Sequence, residues 1–164
     1  MDNINIATNA VDNAANVNTG LQNVKRNNRW SRVNVGEPYF VINEYGCHEQ
    51  GEDRDVNDQH FYRLANYFSD EQFARNIHRA QTIWREILRW QAENDDTVDW
   101  NNESQEKWFF YFDHLANSIR CSCIFSMHEI FTVYFTSKEK IEKCISVFGD
   151  DIIWLVKDFY STIN

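Results

Sequence analysis

Asn66-Tyr67-Phe68-Ser69-Asp70-Glu71 and Val133-Tyr134-Phe135-Thr136-Ser137-Lys138-Glu139 are nearly the same phrase written twice in one chain. Each runs from a short apolar segment through an aromatic pair to a capping residue and an acidic first helical turn. Ser69 with Gln72 and Thr136 with Glu139 have the spacing of a capping box, in which two side chains take backbone amides left open by the first turn. Both phrases therefore predict a strand end followed by a helix start. The helix after the first, about 70–91, has Phe73, Ile77, Ala80, Trp84, Ile87 and Leu88 on one face, with Trp84 at its centre. The helix after the second carries Ile141, Cys144, Ile145 and Phe148, with Gly149 placed to end it. Asp150 or Asp151 then caps a last amphipathic segment reaching Phe159.

Working outward, each phrase is preceded by aromatic strands. Glu37 to Asn43 reads as a strand with Pro38 at its edge. Lys107 to Phe112, Ile119 to Ser126 and Ile130 to Phe135 read as three more. Glu44 to Gln59 and Asn94 to Gln105 read as polar, acidic loops. The expected fold class is α+β, built from two related strand-strand-helix halves at about 37–94 and 105–164. Small antiparallel sheets carry helices packed on one side.

The folded domain is expected over 30–164, because the first aromatic residue is Trp30. Residues 1–29 form an Asn-rich arm with only small or β-branched apolar side chains besides Met1 and Leu21. Ile4, Ala7, Val11, Ala14, Asn18 and Leu21 keep a coiled-coil spacing, so the arm is expected to be flexible or ordered by a partner, including a second copy of the chain.

The 164 residues suit one domain, and the net charge of −9 is unevenly spread. Residues 1–36 sum to +2, 37–94 to −5 and 95–164 to −6. A negative body repels phosphates and favours a partner with a basic surface, such as a protein that handles nucleic acid. No apolar run is long enough to span a bilayer, and the N-terminus lacks a secretory pattern, so a cytoplasmic location and no membrane partner are expected.

No phosphate loop, dinucleotide fingerprint, zincin helix or nucleophile elbow occurs. Cys121 and Cys123 form a single C-x-C without the second pair of a structural zinc site. Cys47-His48 sits among Glu44 and Glu49, the wrong setting for a thiolate. No cofactor, no metal and no enzymatic activity are expected. The candidate binding residues are acidic: Glu49, Glu52, Asp53, Asp55 and Asp58 in the first loop, and Asp95, Asp96 and Asp99 with Trp100 in the second. Carboxylates in such loops imitate phosphate charge and pair with Arg or Lys, and an interleaved Trp anchors an interface. As loop residues, Glu52, Asp53 and Asp55 are expected to tolerate charge reversal without loss of fold. The counter-signal is the helix face with Arg75, Arg79, Arg85 and Arg89, which is either a solvated face or a stripe for nucleic acid.

The segments Tyr39 to Asn43, Tyr62, Asn66 to Phe68, Trp108 to Asp113, Val133 to Glu139 and Phe148-Gly149-Asp150 together resemble a group of small phage and prophage proteins. The likeness covers roughly 37–160. Where that group usually has glycine before the Asn-aromatic pair, this chain has Ala65, which implies a different turn. The resemblance implies an accessory or host-takeover factor, with anti-CRISPR inhibitors as the best-known class. The alternatives are a virion accessory protein docked by the Asn-rich arm, or a small nucleic-acid-binding factor using the Arg face.

Overall fold

The computed structural model describes residues 29–129 and 132–163. The arm and its coiled-coil spacing lie outside the described residues, apart from Arg29. Arg29 belongs to the folded body: its carbonyl accepts the Ser69 amide at 2.9 Å, and its guanidinium lies over the Phe73 ring.

The chain is α+β, with two separate two-stranded antiparallel sheets. The first half is β1 (Pro38–Asn43), β2 (Gly46–Gly51), α1 (Val56–Arg63) and α2 (Glu71–Asn94). The second is β3 (Lys107–Asp113), β4 (Ser118–Ile124) and α3 (Lys138–Trp154). A π-helical turn, Leu155–Phe159, and a last turn, α4 (Tyr160–Ile163), follow. No described helix is long and apolar enough to cross a membrane.

The repeated phrase is the architectural unit. In the first half, the chain returns after the hairpin so that Phe68 exchanges both backbone hydrogen bonds with Phe40 of β1, at 2.8 and 2.9 Å. In the second, Phe135 makes the same exchange with Trp108 of β3, at 2.9 and 2.8 Å. A helix is capped two residues later in each case, by Asp70 and by Ser137. The caps expected at Ser69 and Thr136 therefore lie one residue later, and neither is a capping box, because Phe73 and Lys140 stand at the third helical position. The Ser69 amide donates to the Arg29 carbonyl, and the Thr136 amide and hydroxyl both donate to Asp95, which ties these residues to the preceding chain.

Three readings of local structure are corrected. The stretch 44–59 is not a loop: it contains β2 and the first half of α1, whose capping box is Asp55 with Asp58. Of the strand expected at 130–135, residues 130 and 131 lie outside the described residues, and 132–135 form no strand but supply a bridge at Phe135. Gly149 does not end a helix, and Asp150 and Asp151 do not begin one, because α3 runs through all three.

Helix α2 joins the halves. Its start, Phe73 and Ala74 with Ile77, packs against Phe40, Ile42 and Cys47 of the first sheet. Its end, Ile83 and Ile87, enters a second core with Val133, Phe135, Ile141, Cys144 and Ile152, against which Trp108, Phe110 and Cys121 pack. The buried centre of its apolar face is thus Ile83 and Ile87; Trp84 is half-buried and Leu88 exposed. Strand alternation sends Tyr39 and Val41 to the opposite sheet face, where they meet Tyr67, Val33 and Phe61 of α1.

The turn at Ala65 adopts the conformation a glycine would choose. The Ala65 amide donates to the Tyr62 carbonyl and the Asn66 amide to that of Phe61, which is a Schellman closure of α1 with Ala65 at φ 54°. A Cβ in the left-handed region costs about 1–2 kcal/mol. Gly149 is the reverse case, a glycine in a helix interior with nothing within 4 Å of where a Cβ would sit. Ala65→Gly and Gly149→Ala are each expected to stabilise the protein by about 1 kcal/mol, read from urea midpoints at unchanged slope. Destabilisation by either would contradict the assigned backbone.

Candidate functional site

The residues expected to form an acidic surface separate into two groups with opposite jobs. Glu49, Asp53, Asp55, Asp96 and Asp99 are exposed. Glu52 and Asp58 are not surface groups: they are 0% and 4% exposed.

Glu52 accepts from Arg32 Nε at 3.1 Å, Arg32 Nη2 at 2.9 Å, the Tyr67 hydroxyl at 2.6 Å and the Arg54 amide at 3.0 Å. Asp58 accepts from the Tyr39 hydroxyl at 2.7 Å and from the amides of Asp53 and Asp55 at 2.8 and 3.2 Å. The Tyr39 and Tyr67 rings stack at 4.1 Å, so the two carboxylates are held by one aromatic pair. Their burial follows from this inventory, since an ionised carboxylate leaves water only where several donors replace it. The segment between them is thereby pinned, with Arg54 at φ 62°, Asp53 exposed, and Asp55 exposed but accepting the Asp58 amide as the cap of α1. Charge reversal at Glu52 cannot leave the fold intact, contrary to the expectation from sequence.

Burial disfavours ionisation of Glu52, but the hydrogen bonds from Arg32, Tyr67 and the Arg54 amide outweigh it and hold the carboxyl below its ordinary range. Asp58 is likewise lowered, its burial outweighed by Tyr39 and the amides of Asp53 and Asp55. Burial, then hydrogen bonding to these carboxylates, raises both phenols, pushing Tyr67 up to about 12. Groups with depressed folded values add stability above the unfolded carboxyl range of about 4, and that stability is lost as pH falls through the folded values. Phenols with raised values add stability below their unfolded value of about 10, lost as pH rises above it. Melting temperature is therefore expected to hold between about pH 5 and 9 and to fall on both sides. An unchanged melting point at pH 3 and at pH 11 would remove this network from the stability account.

The second acidic loop, 95–106, is pinned in a different way. Asp95 caps the end of α2, is half-buried, and accepts from the Thr136 amide at 2.8 Å and from the Thr136 hydroxyl. Lys107 is completely buried and donates Nζ to the carbonyls of Asn102 and Gln105 at 2.7 and 2.9 Å. Trp100, 36% exposed, stacks on His128 at 4.2 Å and meets Tyr134 edge-on at 5.0 Å. Trp100 therefore spends one face on the body and keeps only part of its area for a partner. Glu93, Asp96, Asp99 and Glu103 stay exposed, and none has an ion pair to a described residue.

The arginine face is more nearly neutralised. Arg75 pairs with Glu71 at 2.6 Å. Arg79 pairs with Asp151 at 3.1 Å, its guanidinium 3.9 Å from the Trp154 ring centroid. Arg85 and Arg89 alone among the four make no such pair with a described residue.

The cysteines are drawn inward. Burial pushes the Cys47 thiol up and the Cys144 thiol to about 11, and Cys121 packs against the larger core. No group of three metal-ligating side chains occurs among the described residues.

Sequence reasoning missed the four residues that hold these loops: Arg32, Tyr39, Tyr67 and Lys107. The one available signal was the repeat, which aligns Tyr67 with Tyr134 and marks both as structural. Comparison with protein-family models, curated proteins and solved structures finds no match for the chain.

Proposed function

We propose that this chain is a phage-encoded binding protein that inhibits a nucleic-acid-handling defence protein of the bacterial host, such as a CRISPR nuclease, by occupying its basic surface. The observation that carries the reading is the imbalance of free charge. Glu93, Asp96, Asp99 and Glu103 stand exposed around a loop anchored by Lys107 and Asp95, without a paired cation among the described residues for any of them. On the arginine face, Arg75 and Arg79 are already paired. A pinned loop also loses little freedom on binding, so more of its contact energy appears as affinity. The phage origin and the inhibitory role rest on the resemblance of 37–160 to small phage and prophage proteins.

The test is interference in cells. A CRISPR-immune bacterial strain expressing the chain is challenged with the targeted phage. Restored plaque formation is expected, and it should be lost when Asp96, Asp99 and Glu103 are changed together to Asn, Asn and Gln. Immunity unaffected by the wild-type chain across the common nuclease types would reject the inhibitor reading.

A further inference from the structure

A cleft of about 560 Å³ opens between α2 and the first hairpin. Ile42, Phe68 and Ile77 give it apolar lining. One wall is the α2 stripe His78, Gln81 and Arg85, whose spacing puts them on one side of a helix. Glu44, beyond the end of β1, also lines it. The Asn66 side chain fixes the hairpin side by donating to the Ile42 carbonyl and accepting its amide, at 2.8 and 2.9 Å. Asn66 is thus a polar lining residue whose side chain is committed to the backbone of the hairpin.

The polar groups of the α2 wall are uncommitted. His78, Gln81 and Arg85 make no side-chain hydrogen bond or ion pair with a described residue, unlike Arg75 and Arg79 of the same helix. A guanidinium with an open fork selects a phosphate or carboxylate, and the apolar lining selects a flat, uncharged body. Glu44 accepts hydrogen bonds and so suits an exocyclic amine. His78 and Arg85 are separated along the helix by about 10 Å, which is comparable with the reach of a nucleotide from phosphate to base. The volume also falls within the range of small-molecule sites.

We propose that this cleft binds a nucleoside monophosphate bearing an amino-substituted base. Its phosphate sits on Arg85, its base lies on Ile42 and Ile77 beside His78 with the amine toward Glu44, and Gln81 reaches the ribose hydroxyls. The site is distinct from the acidic loop at 95–106, so it stands or falls independently of the inhibitor reading.

The experiment is a calorimetric titration of the full chain with adenosine monophosphate, with adenosine and inorganic phosphate run separately. One-site saturable binding is expected, weaker by about 10-fold or more for each fragment. Arg85→Ala should weaken adenosine monophosphate by about 10-fold or more, the ordinary effect of losing a charge-assisted hydrogen bond. Arg89→Ala, at the neighbouring arginine that likewise has no ion pair among the described residues, should leave the affinity unchanged. Absence of saturable binding overturns the proposal. So does an equal loss in both arginine variants, which would mean general attraction to positive charge, or inorganic phosphate binding as tightly as the nucleotide, which would mean a simple anion site.

Discussion

Phe135→Ala is expected to destabilise the protein by about 3–5 kcal/mol, the range for deleting a fully buried aromatic ring. The Phe135 side chain is 0% exposed and packs with Ile83, Ile87, Ile141 and Cys144. Its ring lies 6.2 Å from that of Trp90, so the cavity would open between α2 and α3. The same residue's backbone holds the returning chain to β3, and the helix cap follows two residues later. Against a total stability of about 5–15 kcal/mol for a typical domain, this loss alone would leave the chain near unfolding. Equilibrium denaturation decides it. A cost below about 1 kcal/mol would mean that the site collapses freely and that Phe135 is not the keystone of the second half.

Glu52→Ala is expected to cost about 3 kcal/mol, at the lower end of the range for removing one partner of a buried ion pair. Arg32 is 23% exposed at its side chain and can recover some water, which limits the penalty. The Tyr67 hydroxyl is fully buried and loses its acceptor. The neighbouring Asp53→Ala, at an exposed position, should stay within about 0.5 kcal/mol. Equal effects at 52 and 53 would place Glu52 at the surface after all and return it to the candidate binding set.

Much of the fold could be read locally because its elements announce themselves through side-chain period. β1, β3, β4, α2 and α3 each carry an apolar face and appear close to their expected places. β2 did not, because GCHEQG has almost no apolar content: the large hydrophobic residues of that hairpin are on β1, and β2 contributes mainly backbone. α1 was hidden by its polarity and by an Asp at the third position of its capping box, where Glu or Gln is usual. Gly149 looked like a helix end, but the packing of Ile141, Cys144 and Ile152 into one core carries the helix straight through it.

The candidate surface was less legible, for a reason of range. Nothing near Glu52 in the chain distinguishes it from Asp53. Its partners Arg32 and Tyr67 are 20 and 15 residues away, and Asp58 meets Tyr39 from 19 residues away. Whether a carboxylate in a polar stretch is buried depends on contacts that only the folded chain creates. Lys107 is the same lesson with opposite charge: as the first residue of an aromatic strand it reads as a solvated end, yet it is completely buried and binds two loop carbonyls.

The claim that the loop at 95–106 acts by replacing nucleic acid is tested most directly with a purified guide-loaded CRISPR nuclease that the chain protects phage against. Fluorescence anisotropy would follow labelled target DNA on the nuclease as the chain is added. Displacement of the DNA is expected, with an affinity that falls as salt rises because charge complementarity drives it. The combined Asp96→Asn, Asp99→Asn and Glu103→Gln variant should displace poorly at every salt concentration, while Arg85→Gln with Arg89→Gln should match the wild type. Undiminished displacement by the acidic variant, or its loss in the arginine variant alone, would contradict the account.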